Sequence, residues 1–386
     1  MLRMIWLLAF GLMGHQAVAE TVLDVGYLHV EVPQPPTLSN LDPIPEDNGW
    51  AGAQTGLQDN LTTGKFLGQD YTLMQNRVAE GEDPLAVARE MLGASPYLVL
   101  DAPADILLEI ADLPEAQNAM LFNISAGAVA LRDAQCRANL FHTLPSDAMR
   151  TDALAQVLVQ KRWTDLVMIA GTYPADLAYA EAMRGSLGKF GLKLDGEKTW
   201  DVDADMRRTA SQELPLFTQD FGDYDAMIIA DELHDFGRYV LYNTWQARPI
   251  VGSEGLSALT WSPVIEQWGA AQLQSRFEEE HARDMTGKDY AAWAAIRTLG
   301  EAVTRTDATD PETLRAYILS DDFELAGFKG RPLTYRTWNG QLRQPIAIVH
   351  PRALVAQAPL DGFLHQTNEL DSLGLDRPES NCEVFQ

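Results

Sequence analysis

The sequence predicts an α/β protein of two tandem units, each a parallel sheet covered by helices. Three observations carry this expectation. Short apolar runs alternate with amphipathic stretches in βαβ order. The alternation pauses around Leu140 to Pro145 and then restarts. At 386 residues the chain is long enough for two domains of ordinary size.

The elements follow from periodicity and punctuation. Thr21 to Val30 reads as a strand, Asn48 can cap a helix running to about Asn60, and Tyr71 to Val78 is a second strand. Asp83 to Gly93 is helical, with Leu85, Ala88, Met91 and Leu92 at helical spacing and Gly93 as terminator. Tyr97 to Asp101 is a strand, Ala104 to Asp112 a helix, and Ala119 to Asn123 a strand. After the pause, Ser146 caps a helix and Leu166 to Ala170 forms a strand. Leu177, Ala180, Met183, Leu187 and Phe190 mark a helix that Gly191 ends. Ala226 to Ala230 is a strand, Asp235 to Trp245 a helix, and Pro249 to Gly252 a strand. The region after Glu254 reads as mostly helical until Arg331, with strands at Leu333 to Thr337 and Ile346 to Val349.

The first nineteen residues have the anatomy of a cleavable secretory signal. Arg3 gives a basic start, Met4 to Met13 carries no charge, and Ala17-Val18-Ala19 supplies small residues before Glu20. The apolar run is shorter than the about 20 residues a membrane span needs. Export and cleavage after Ala19 are therefore expected. With 55 acidic and 29 basic residues the net charge is −26, which repels phosphate backbones and anionic lipid and argues against nucleic acid as a partner. Cys136 and Cys382 are the only cysteines, and an oxidising compartment makes them a disulfide candidate. A Cys136–Cys382 bond would staple the tail, Pro359 to Gln386, across the protein surface; the alternative is two unpaired thiols.

In open parallel sheets, ligands bind beyond the carboxyl ends of the strands. That rule selects Asp101 and Ala102, Asn123 and Ser125, Tyr173, Glu232 and Glu254, a set that suggests a cleft between two lobes. The competing reading makes most of them turn formers and helix caps; Tyr173 and Glu254 fit it least. Asp201, Asp203 and Asp205 have the spacing of a calcium loop, but Met206 and Gln212 stand where Gly and Glu are needed. No phosphate-binding loop, nucleophile elbow or histidine pair at metal spacing occurs. No cofactor, metal or catalytic residue is expected. Pro33 to Pro45 is either a lid or an extended surface loop.

Several longer strings carry a resemblance. Tyr290-Ala291-Ala292-Trp293-Ala294-Ala295-Ile296 opens a helix ending in Glu301-Ala302-Val303. Asp310-Pro311-Glu312-Thr313-Leu314 starts the next, and Phe328-Lys329-Gly330-Arg331-Pro332-Leu333-Thr334-Tyr335 follows. In this order the chain, from Thr21 to Val355, resembles the type I periplasmic solute-binding proteins of ABC transporters, in the branched-chain amino acid and amide branch. Ser39 to Asp47, Glu266 to Ala270, Trp338 to Ile346 and Gly362 to His365 look more narrowly like the binding proteins associated with pyrroloquinoline quinone-dependent alcohol dehydrogenases.

The resemblance implies a two-lobed fold with three crossovers, near His142 to Ser146, Gly252 to Ser257 and Arg331 to Asn339. Lobe 1 would comprise residues 20–143 plus 256–332, and lobe 2 residues 144–255 plus 333–358, with a tail at 359–386. By match of position Tyr173 resembles the aromatic, and Glu254 the acid, that meet a ligand in that family. The first lobe departs from the pattern: Asp101 would repel a ligand carboxylate. The implied function is a monomeric periplasmic receptor that captures a small-molecule ligand, docks on an inner-membrane permease, and serves a system containing a quinoprotein dehydrogenase. Alternatives are an accessory protein that binds the dehydrogenase or its cofactor, and a ligand-sensing domain for a signalling partner.

Overall fold

The computed structural model of the chain describes residues 21–33, 43–201 and 206–385. The expected signal, most of the Pro33 to Pro45 stretch, and Asp203 and Asp205 lie outside the described residues.

The first lobe begins with β1 (Thr21–Val30), α1 (Trp50–Leu67), β2 (Gln69–Val78), α2 (Pro84–Ala94), β3 (Tyr97–Asp101), α3 (Ala104–Ala111), β4 (Met120–Asn123) and β5 (Leu140–His142). Its sheet is parallel in the order β2-β1-β3-β4-β5. Successive residues of these strands face opposite cores: Tyr97 and Val99 pack on one side, Leu98 and Leu100 on the other. Both faces are therefore buried, which is why the strands read as continuous apolar runs.

The second lobe comprises α4 (Asp147–Lys161), β6 (Asp165–Ala170), α5 (Pro174–Lys189), β7 (Lys193–Thr199), α6 (Met206–Thr218), β8 (Ala226–Ala230), α7 (Gly237–Val240) and β9 (Ile250–Gly252). Its sheet is parallel in the order β7-β6-β8-β9. The helix expected over Asp235 to Trp245 is confined to α7. The Asp231 carboxylate accepts the amides of Asp235, Phe236 and Gly237 and bends the chain into a turn instead.

After β10 (Ser257–Leu259) the chain supplies α8 (Ala270–His281), α9 (Gly287–Thr306) and α10 (Pro311–Ile318), then β11 (Leu325–Ala326), β12 (Pro332–Tyr335), β13 (Leu342–Arg343), β14 (Ile346–His350) and β15 (Ala353–Ala358). Helices α8, α9 and α10 cover the first sheet. Helix α1 meets α9 closely: a Cβ on Gly52 would lie 1.9 Å from the Asp289 carbonyl oxygen. Leu333, Tyr335 and Leu342 also lie in the first lobe's core. Residues Leu333 to Leu342, expected with lobe 2 from position 333 onward, thus contribute side chains to the first core.

Strand β14 alternates between the lobes, sending Ile346 and Ile348 into the second core and Ala347 and Val349 into the first. Lys329 ties the crossovers beside it. Its Nζ donates to Thr260 O (2.6 Å), Gln344 Oε1 (2.7 Å) and Pro345 O (3.3 Å). Gln344 Nε2 in turn donates to Thr143 O (2.7 Å). Burial pushes the Lys329 ammonium well below its usual range.

The tail is docked rather than loose. Leu370 and Leu373 are buried, and the Arg336 and Arg343 guanidinium groups both donate to Asp371. The Cys136–Cys382 disulfide is present, with Cα atoms 5.7 Å apart.

Candidate functional site

A cleft of about 920 Å³ lies between the two lobes, at the carboxyl ends of their strands. In each sheet the winding reverses beside a central strand, between β1 and β3 in the first and between β6 and β8 in the second. Loops diverge at such switch points and leave a crevice.

On the first lobe the wall is built from Pro103, Ala104, the segment Ser125 to Ala128, and Lys288 in the first turn of α9. Asn123 shapes that segment. Its Oδ1 accepts the amides of Ser125 (3.1 Å) and Ala126 (2.9 Å), and it is fully buried. Ser125 Oγ accepts the Ala102 amide and donates to the Ala102 carbonyl, both at 2.9 Å, which joins the β3 and β4 loops. Lys288 is set by a capping box: Thr286 Oγ accepts the Asp289 amide and Asp289 Oδ2 accepts the Thr286 amide.

Asp101 is not a bare charge. It receives Lys288 Nζ at 2.9 Å and pairs with His29 Nδ1 at 2.8 Å. Burial alone would raise its carboxyl, but the Lys288 charge and the His29 hydrogen bond outweigh that and hold it below the usual carboxylate range. The repulsion of a ligand carboxylate expected from the sequence is thus offset by a cation on the same wall.

On the second lobe the wall carries Asp147 and Arg150 from the first turn of α4, Pro174, Ala175 and Ala178 from α5, and Glu232 and His234 after β8. Arg150 makes a bidentate pair with Glu232 and stands over the Tyr179 ring, 4.9 Å from its centroid. Burial would raise the Glu232 carboxyl; Arg150 and the Ser253 hydroxyl reverse this and lower it. Burial raises Asp147. It also raises Asp176, to about 6, although its carboxylate accepts the amides of Glu232 (2.7 Å) and Tyr173 (3.2 Å).

Of the residues selected from the sequence, Ser125 and Glu232 are on the cleft wall. Asp101, Ala102 and Asn123 stand behind it as supports. Tyr173 occupies the N-cap position of α5, and Glu254 pairs with His234 at 2.9 Å. His29, Asp147, Arg150, His234 and Lys288 were not anticipated. One signal was available: Arg150 sits in the first turn of a helix, against the macrodipole, a placement that asks for a carboxylate partner. Among the described residues no group of three or more His, Cys, Asp or Glu is placed to hold a metal ion.

The chain matches no family model and no curated protein by sequence. By structure it is similar to a periplasmic binding protein from Burkholderia mallei (TM-score 0.69, 14% identity, 96% of this chain and 100% of that one). It is also similar to a branched-chain amino acid ABC transporter periplasmic ligand-binding protein from Burkholderia xenovorans (TM-score 0.72, 14% identity, 94% and 100%). A third likeness is to an ABC transporter solute-binding protein from R. palustris solved with benzoate (TM-score 0.62, 13% identity, 94% and 99%). The chain thus has the two-lobed α/β fold of type I periplasmic binding proteins. At these identities the likeness defines the fold alone.

Proposed function

We propose that this protein is the solute-capturing component of an ABC-type importer, closing two lobes around a small organic solute and delivering it to a membrane permease. The observation that carries the reading is the cleft itself: about 920 Å³, placed at the switch points of both sheets, with walls on separate lobes. Ser125 and Lys288 meet the solute from the first lobe and Glu232 from the second, with Tyr173 and Glu254 joining as the lobes close. The leader over residues 1–19 supports export to the periplasm, where the protein acts as a monomer without turnover of its own. The strings Glu266 to Ala270 and Trp338 to Ile346 support a finer reading, in which the solute belongs to a quinoprotein alcohol-oxidation system.

The test is small-angle scattering and thermal melting of the purified protein against fractionated small-molecule extract of its native host, with mass spectrometry of what is retained. A retained solute that compacts the protein and raises its Tm is expected. If every fraction leaves both the scattering and the Tm unchanged, solute capture is wrong.

A further inference from the structure

The C-terminal segment is bound to both lobes: Arg336 and Arg343, beside the first lobe's core, donate to Asp371, and further on the partners alternate again. On the second lobe, the Leu360 amide donates to Gln156 Oε1 on α4 (2.9 Å), and the Gly374 amide donates to Asp152 Oδ2 (2.8 Å). Lys189 on α5 donates to the Gly374 carbonyl (2.8 Å) and to Glu379 Oε2 (3.2 Å). One residue later, at Ser380, the partners are again those of the first lobe. Ser380 Oγ donates to Arg132 O (3.0 Å), and the Asn381 amide and side chain both donate to Asp133 Oδ1. Cys382 is then bonded to Cys136, and Phe385 meets Phe141 edge-on with ring centroids 6.0 Å apart.

Consecutive Cα atoms are about 3.8 Å apart, so the passage from Glu379 to Ser380 has no slack. The segment also borders the cleft. A groove of about 540 Å³ beneath Gly374 and Leu375 shares Ala128, Asp147 and Ala178 with the cleft wall.

We propose that residues 359–385 are a disulfide-anchored strap, a fourth connection between the lobes that limits how far the cleft opens. The proposal rests on the reading that the lobes move, but it concerns the ligand-free state and makes no use of any solute. Moving α5 away from the segment around Arg132 and Asp133 stretches the chain at 379–380. The Lys189 and Asp152 contacts on one side, or the anchored end on the other, must then give way. The hydrogen bonds can exchange with water, whereas the Cys136–Cys382 bond cannot. Cutting either end should therefore let the lobes part further.

The experiment is small-angle scattering of the ligand-free protein in three forms. These are the oxidised wild type, the Cys136→Ser/Cys382→Ser double variant, and Lys189→Met, which loosens the opposite end. Reducing the wild type with dithiothreitol repeats the cut without mutation. The reagent gives up two electrons and two protons and closes to its own cyclic disulfide as the Sγ–Sγ bond opens to two thiols. A larger radius of gyration in the double variant, the reduced wild type and Lys189→Met is expected, with faster amide exchange over residues 374–385. An unchanged radius in both the double variant and the reduced wild type overturns the strap. Solute-induced compaction, measured separately, decides solute capture, so the two readings fail independently.

Discussion

Arg150 and Glu232 face each other on the second-lobe wall of the cleft, with Nη1 2.6 Å from Oε2 and Nη2 3.1 Å from Oε1. This fork joins the first turn of α4 to the loop after β8, so the wall of the second lobe is set by one charge-assisted pair.

Arg150→Met should destabilise the protein by about 3 kcal/mol at neutral pH, because it leaves the Glu232 carboxylate desolvated without its counter-ion. Urea unfolding measures this, and adding Glu232→Gln should recover much of the loss. Since the folded state holds the Glu232 carboxyl below its ordinary value, the pair's contribution is present above the unfolded carboxylate pKa, about 4.3, and is lost as pH falls below it. A loss under about 1 kcal/mol would mean that the pair is solvated.

Asp176 should act in the opposite sense. Its carboxyl is raised to about 6, whereas an unfolded aspartate titrates near about 3.9. Between these values the folded state holds the extra proton, so this residue's contribution to stability falls as pH rises from about 4 to 6. The shift caps the effect at about 3 kcal/mol. Urea midpoints of wild type and Asp176→Asn across that window give the measurement: their difference should move against the wild type with rising pH, and a constant difference refutes the assignment.

Opening the Cys136–Cys382 bond should lower the unfolding free energy by up to about 5 kcal/mol, from the loop of 246 residues it closes. Thiol titration of the denatured protein checks the chemistry, with no reactive thiol expected before reduction and two after. Unfolding of the double serine variant checks the energy.

Gly52→Ala should cost about 3 kcal/mol, the upper end of ordinary overpacking, because the added methyl meets the Asp289 backbone and no side chain can yield. The same change at Gly93, where an added Cβ meets nothing within 4 Å, is the control and should be neutral or better. Thermal melting of both variants decides the point.

Strands with both faces buried were the most directly legible in the sequence. Strands such as Tyr97–Asp101 and Ala226–Ala230 carry unbroken apolar runs because helices cover them on both sides. Lys193–Thr199 escaped notice because it is an edge strand of charged residues whose exposure alternates along its length. The site was legible at the level of strand ends and illegible at the level of partners. Asp101 announces itself after a strand, but Lys288, 187 residues away, does not. Charge pairing across such separations is a property of the folded chain, and it turned an apparent obstacle to anions into a neutralised support.

Strand β14 has a consequence for how the molecule melts. Its alternate side chains are core to different lobes, and Lys329 binds the crossovers beside it, so neither lobe owns a complete interior. Heating cannot expose one core without stripping a strand face from the other. The two lobes should therefore unfold as one cooperative unit, in a single calorimetric transition.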